Sequence, residues 1–260
     1  MPRILHFSDI HFGAEDAAAV EAALRFAEAD RADLILVTGD LTLNGLPREF
    51  GAAKAWLQRL PRPWLATPGN HDTPYWNLPL RALRPFDRYK RFVGPVQSEA
   101  AASGLVARTL NTARGAQPRL DWSKGAVDLA ACHEAAQRLG AAPAGVLRVV
   151  ACHHPLVEAT GAPVTGGVYR GEAAAQILAA GGVDAILTGH VHNPFATPLA
   201  SADGLTYAVG AGTLSRRLRG TPAGFNRLSV TEETLMVEAM GWTGSRFEPY
   251  RTWALPRRRR

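Results

Sequence analysis

Five short clusters of histidine, aspartate and asparagine constrain this chain most, because each stands at the end of an apolar run. Ser8-Asp9-Ile10-His11 follows Ile4 to Phe7, Gly39-Asp40 follows Leu34 to Thr38, and Gly69-Asn70-His71-Asp72 follows Trp64 to Thr67 and Pro68. His153-His154-Pro155 follows Val146 to Cys152, and Gly189-His190-Val191-His192 follows Val183 to Thr188. Short apolar runs of this kind read as buried strands. In open α/β sheets the loops at the carboxyl ends of the strands converge on one crevice. Five strand ends carrying such residues therefore predict one shared site. Six of the chain's eight histidines lie in these clusters, with only His6 and His133 elsewhere.

Helices are expected between the strands. Ala17 to Asp30 has helical spacing with Asp16 as its N-cap, and Arg48 to Leu60 starts just after Pro47. Asp128 to Leu139 and Gly171 to Ala180 also read as helices, and Leu80 to Phe92 as a helix interrupted at Pro85. The alternation of strand and helix predicts an α/β fold with a partly parallel sheet. Leu105 to Leu110 reads as a further strand. Leu205 to Val209, Leu228 to Val230 and Leu235 to Met240 read as late strands, expected to form a more antiparallel second sheet. No linker rich in Gly, Pro or Ser divides the chain. Residues 1–255 are expected to form a single domain and 256–260 a basic, disordered tail.

Composition narrows the partners. The 260 residues suffice for a full core. The net charge is +6, but Arg257 to Arg260 supply four of the 29 basic residues, leaving 25 against 23 acidic ones in the body. A nearly neutral body argues against nucleic acid as a partner and against a nuclease. The tail itself reads as a solvated end, the other reading being a weak anchor for anionic surfaces. Two cysteines make no disulfide framework. Together with a start that lacks a signal-peptide pattern, they lead us to expect a cytoplasmic protein. No apolar run approaches the roughly 18 residues that a membrane span needs.

The residue types of the clusters point to metal chemistry. Imidazole, carboxylate and amide oxygen together suit borderline divalent ions such as zinc, manganese or iron, and no thiolate stands among them. Asp9 and His11, like His190 and His192, are two residues apart, which returns both side chains to the same side of an extended chain. Glycines before Asp40, Asn70 and His190 are expected to permit tight turns. Each cluster alone also has an ordinary reading as a turn, a cap or a strand end. Their joint occurrence after five buried strands is what the ordinary readings do not produce.

The full pattern, D-x-H, G-D, G-N-H-[DE], a later H and G-H-x-H, runs from Asp9 to His192 and closely resembles that of the calcineurin-like metallophosphoesterases. The resemblance implies a four-layer α/β sandwich of two central mixed sheets flanked by helices, with two divalent transition-metal ions (Mn, Fe or Zn). By that resemblance Asp9, His11 and His192 bind the first ion, Asp40 bridges both, and Asn70, His153 and His190 bind the second. His154 is the competing ligand in its cluster, and otherwise stands near the substrate. His71 is the expected catalytic residue, stabilising developing charge and protonating the leaving group, with Asp72 as a candidate to orient it. The layout looks most similar to the bacterial cyclic-nucleotide phosphodiesterase branch. The expected activity is hydrolysis of a small phosphorylated substrate, a phosphodiester first, with cyclic nucleotides among the candidates. A phosphomonoesterase or a nucleotide-sugar pyrophosphate hydrolase is the alternative, and a non-catalytic metal-binding scaffold the alternative of another class. Tyr75, Trp76, Phe86 and Tyr89 are candidates for an aromatic wall, and Arg114, Arg119, Arg216, Arg217 and Arg219 for phosphate anchors. Neither group identifies a substrate.

Overall fold

Strands and helices alternate along the first two thirds of the chain, in a computed structural model that describes residues 1–158, 167–199 and 203–259. The order is β1 (Arg3–Phe7), α1 (Ala17–Asp30), β2 (Leu34–Val37), α2 (Pro47–Arg59), β3 (Trp64–Ala66), α3 (Leu78–Leu83), α4 (Asp87–Phe92), β4 (Glu99–Ala102), β5 (Leu105–Leu110), α5 (Leu129–Gly140), β6 (Leu147–Cys152), α6 (Gly171–Ala180) and β7 (Ala185–Thr188). Five strands follow: β8 (Phe195–Pro198), β9 (Tyr207–Gly210), β10 (Gly224–Val230), β11 (Thr234–Trp242) and β12 (Phe247–Pro256). Asp16 caps α1 by accepting from the amides of Ala18 and Ala19, and Asp128 caps α5 by accepting from Ala130. The stretch around Pro85 forms two short helices rather than one interrupted helix, because proline supplies no amide hydrogen to continue the ladder.

The strands form two six-stranded mixed sheets, ordered β12-β11-β10-β1-β2-β3 and β4-β5-β6-β7-β9-β8. In the first, β1, β2 and β3 run parallel, and β10 lies antiparallel to β1. In the second, β5, β6, β7 and β9 run parallel, with antiparallel strands β4 and β8 at the edges. Side-chain alternation sorts the core into layers. Leu5, Phe7, Ile35 and Val37 pack under α1 and α2, while Ile4, Leu34 and Leu36 meet Leu147, Val149 and Leu187 between the sheets. Val150, Cys152 and Ile186 pack on the outer side of the second sheet with Cys132 and Ala135 of α5 and Ala174 and Leu178 of α6. The result is a four-layer sandwich of helices, sheet, sheet and helices.

The late strands do not make a separate antiparallel sheet as expected. β9 joins the second sheet beside β7, whereas β10, β11 and β12 extend the first from the free edge of β1. An alternating pattern specifies a strand and its faces, but not which open edge it joins. The basic end also makes contacts. Arg257 donates to the Thr231 and Gly145 carbonyls, Arg258 pairs with Asp203, and Arg259 with Glu233; Arg260 lies outside the described residues. No helix among the described residues is long and apolar enough to cross a membrane.

Candidate metal centre

All the clustered side chains leave the carboxyl ends of parallel strands, three in the first sheet and two in the second. Beyond β1 and β2 the two chains stay hydrogen-bonded, with the Asp9, His11 and Phe12 amides donating to the Gly39, Asp40 and Leu41 carbonyls at 3.0, 2.9 and 2.8 Å. That ladder holds an unusual backbone. Among the described residues seven non-glycine positions have positive φ, and five of them are Asp9, His11, Asp40, His190 and His192, at +50° to +68°. The left-handed region costs an L-residue on the order of 1 kcal/mol. Five such residues in one place are sustained by the packing and hydrogen bonds around them, a pattern typical of functional sites.

The glycines in these turns act in two ways. Gly39 has φ +84°, which a side chain would disfavour. Gly69 and Gly189 do not adopt positive φ. They are needed for close approach, because a Cβ at Gly69 would overlap Asp40, and one at Gly189 would overlap Ser8 Oγ and Asp9 Oδ2.

Both carboxylates follow one design. Asp9 Oδ2 accepts from Ser8 Oγ at 2.6 Å and from the His190 amide at 2.9 Å, while Oδ1 is buried without a hydrogen-bond donor. Asp40 Oδ1 accepts from the His71 amide at 2.8 Å, and Oδ2 faces His153 Nε2 at 3.3 Å and His11 Nε2 at 3.8 Å. The imidazoles are held from behind in the same manner. Nδ1 of His153, His192 and His11 lies 2.7, 2.7 and 3.3 Å from the carbonyls of Thr38, Arg217 and Thr42. A carbonyl only accepts, so these contacts place a hydrogen on Nδ1 and leave Nε2 as the atom that faces inward.

The inward atoms are nitrogens and oxygens crowded against one another. His11 Nε2 and His192 Nε2 are 3.3 Å apart, His192 Nε2 is 3.1 Å from the orphaned Asp9 Oδ1, and Asn70 Oδ1 is 3.2 Å from His153 Nε2. Only protons or cations relieve such a set, and the donor chemistry fits divalent ions. Burial alone would raise both carboxyls, but His192 and His153 together outweigh it at Asp9, and His153, His71 and His11 together at Asp40, holding each well below the usual range. Both are thus ionised. Burial pushes His11 down to about 3 and His190 down to about 4. His153 is the exception: burial opposes its charge, yet Asp40 raises it to about 9. A cation taking up His153 Nε2 would displace that proton.

The structure separates neighbours that looked alike in sequence. His154 has both ring nitrogens occupied, Nδ1 by Thr112 Oγ1 at 2.9 Å and Nε2 by the Ser123 carbonyl at 2.8 Å, whereas His153 turns Nε2 to Asp40 and Asn70. Asp72 is fully buried and accepts from the amides of Leu41, Thr42 and Gly69 and from Thr42 Oγ1. It pins the two loops together and does not orient the His71 ring. That ring is fixed by the Leu43 carbonyl, 2.6 Å from Nδ1, while Nε2 faces Arg217 Nη1 at 3.1 Å.

The two looser groups divide. Tyr89 is fully buried and Phe86 packs on the core, so only Tyr75 and Trp76 stand exposed beside His71. Arg114 donates to the carbonyls of Asn111 and Ala113, Arg119 donates to that of Gly167, and Arg216 is exposed. Arg217 reaches the site, and Arg219 is within electrostatic reach of Asp9 and Asp40. The orienting carbonyls of Thr38, Thr42 and Leu43 carry no sequence signal, since every residue has a carbonyl. Ser8, standing next to Asp9, is the one partner whose side chain was visible in its cluster.

The sequence model of the calcineurin-like phosphoesterases matches residues 2–194. No curated protein sequence matches the chain. Among solved structures, it superposes on a dimetal phosphatase from Danio rerio with a TM-score of 0.70 at 10% identity, covering 99% of both chains. Purple acid phosphatase PPD1 from yellow lupin, Lupinus luteus, gives 0.67 at 16% identity, over 98% of this chain and 54% of the lupin chain, so this chain spans about half of it. GAP50, the anchor in the inner membrane complex of Plasmodium, gives 0.66 at 14% identity over 99% of this chain and 89% of its own. At these identities the likeness is one of fold.

Proposed function

The chain belongs to the calcineurin-like phosphoesterase family, and from that premise we propose that this metallophosphoesterase hydrolyses small phosphodiesters, cyclic nucleotides among them. Fold alone would not carry this, since a Plasmodium anchor protein shares it. The observation that carries it is Asp40 Oδ2, which faces His153 Nε2 at 3.3 Å and His11 Nε2 at 3.8 Å, one from each proposed set of donors. In this reading Asp9, His11 and His192 hold one ion, Asn70, His153 and His190 hold the other, and Asp40 serves both. Two divalent ions (Mn, Fe or Zn) would polarise the phosphoryl oxygens and supply an activated water. His71, with its ring fixed by the Leu43 carbonyl, presents Nε2 to the leaving oxygen and, when protonated, gives it the proton.

The case for a substrate that carries a planar group, as a cyclic nucleotide does, rests on what stands next to His71. Tyr75 lies nearly parallel to the His71 ring, at an interplanar angle of 8° with centroids 6.5 Å apart, and Trp76 meets Tyr75 edge-on. Tyr75 and Trp76 are 45% and 74% exposed, so this apolar face is open to a planar group on the substrate. Residues 1–255 act as one unit in this reading, because each sheet contributes donors. The two free, buried cysteines fit a cytoplasmic setting.

Steady-state kinetics of the metal-reconstituted protein on cyclic AMP, a simple aromatic diester and the matching monoester test the proposal. Turnover of both diesters is expected. Monoester turnover with no diester activity makes it a phosphomonoesterase, and no turnover of any of the three contradicts the proposed catalysis.

A further inference from the structure

The loop between β9 and β10 lies beyond the segment matched by the family and is built into the site from several sides. Thr213 Oγ1 donates to the Asp9 carbonyl and pairs with Ser215 Oγ at 2.7 Å. Ser215 Oγ accepts from the Arg217 amide at 3.2 Å, and Thr221 Oγ1 donates to the His192 carbonyl at 3.2 Å. The Arg217 carbonyl accepts from His192 Nδ1, so one residue orients a candidate ligand through its backbone while its side chain enters the site.

That side chain is poorly matched to its surroundings. A guanidinium is always charged and has five N–H donors but no acceptor. Arg217 Nη1 meets the Nε2 atoms of His71 at 3.1 Å and His11 at 3.5 Å, and the half-buried side chain has no carboxylate partner among the described residues. Once His11 Nε2 is a metal ligand, its lone pair no longer serves the arginine. Arg219 stands on the same loop, with Nη1 buried and without a hydrogen-bond partner among the described residues. Burial depresses its guanidinium, and Asp9 and Asp40 oppose that. Two cations directed at a centre already built for cations repel it unless an anion lies between them.

Resting on the reading of the site as a dinuclear phosphoesterase, we propose that Arg217, seconded by Arg219, grips the anionic oxygens of the substrate phosphoryl group and of the phosphate released from it. Arginine suits this because its fork matches two oxygens at once, which a lysine ammonium does not. Arg216, adjacent and exposed, carries the same charge without facing the site.

Inorganic phosphate is the probe, titrated calorimetrically into metal-loaded wild type and the variants Arg217→Ala, Arg217→Lys, Arg219→Ala and Arg216→Ala. Metal content and thermal melting are measured in each. Each Arg217 variant keeps its backbone carbonyl, and so the partner of His192. Arg217→Ala is expected to weaken phosphate binding about tenfold or more, as loss of a charge-assisted hydrogen bond does, and to raise KM more than it lowers kcat. Arg217→Lys should recover only part of the loss, Arg219→Ala should weaken binding less, and Arg216→Ala should match wild type. Wild-type phosphate affinity in a folded Arg217→Ala with full metal content overturns the proposal, as does an equal loss in Arg216→Ala. Failure of wild type to take up metal contradicts the dinuclear reading instead, and elemental analysis reports that separately.

Discussion

Asp9 shows how a single buried carboxylate can be prepared for a cation. Two donors, from Ser8 and the His190 amide, fix one oxygen, and the other faces the Nε2 atoms of His192 at 3.1 Å and His11 at 3.8 Å. That geometry depends on a residue with no side chain, because Gly189 lets the second sheet come up against Ser8 and Asp9. Gly189→Ala is therefore expected to destabilise the fold by about 2 kcal/mol, the scale of forced overpacking, and to lower metal uptake. Denaturant unfolding with parallel metal analysis checks this, and unchanged values of both refute the close-approach argument. The candidate donors were legible in sequence as residue types at strand ends. What was not legible is which way each points. His153 and His154 are adjacent and chemically identical, yet hydrogen bonds with Thr112 and Ser123, remote in sequence, set His154 apart. Arg217 was one of five comparable arginines until the fold brought its loop to His71.

Among the elements, the parallel strands whose ends carry the site were readable because they are short, apolar and closed by polar clusters. Strands β4, β8 and β12 were not. β4 reads Glu-Ala-Ala-Ala, which favours helix by composition and becomes a strand only as an edge partner of β5. β8 ends on Pro198, and β12 contains Pro249, which sits where the register with β11 shifts; prolines confine such segments to edges and bulges. The basic end following β12 contacts Thr231 and Gly145, at the edge where β1 and β6 begin, opposite the site. Deleting residues 257–260 is accordingly expected to leave turnover of a small substrate unchanged and to lower stability by no more than about 1 kcal/mol, the usual worth of exposed ion pairs. A large fall in kcat would place the tail in catalysis.

At the scale of the molecule, the two sheets meet over a polar seam as well as an apolar core. His6 of β1 is fully buried, 2.9 Å from Thr38 Oγ1, and burial pushes it down to about 3. With His11 and His190 also held neutral, the unfolded chain binds more protons than the folded one below the ordinary histidine value of 6.5. A lowered folded pKa gives stability that is present above the unfolded value and lost as pH falls. His153 has the opposite sign, its contribution being present below 6.5 and lost as pH rises through about 9, so it does not offset the acid side. Calorimetry of the chelator-treated protein should thus show Tm falling between about pH 7 and about pH 5, because the three neutral histidines outnumber the one opposing group, Asp72, whose carboxyl burial pushes up to about 7. A constant Tm over that interval contradicts the neutral buried histidines.

The central claim is that five strand ends from two sheets assemble one dinuclear centre. Elemental analysis of the purified protein after loading with manganese, iron or zinc tests it most directly. Close to two ions per chain are expected in the wild type, falling in Asp40→Ala because its carboxylate is the one facing both halves of the site. Absence of bound metal from the folded wild-type protein under all three loadings would contradict the account.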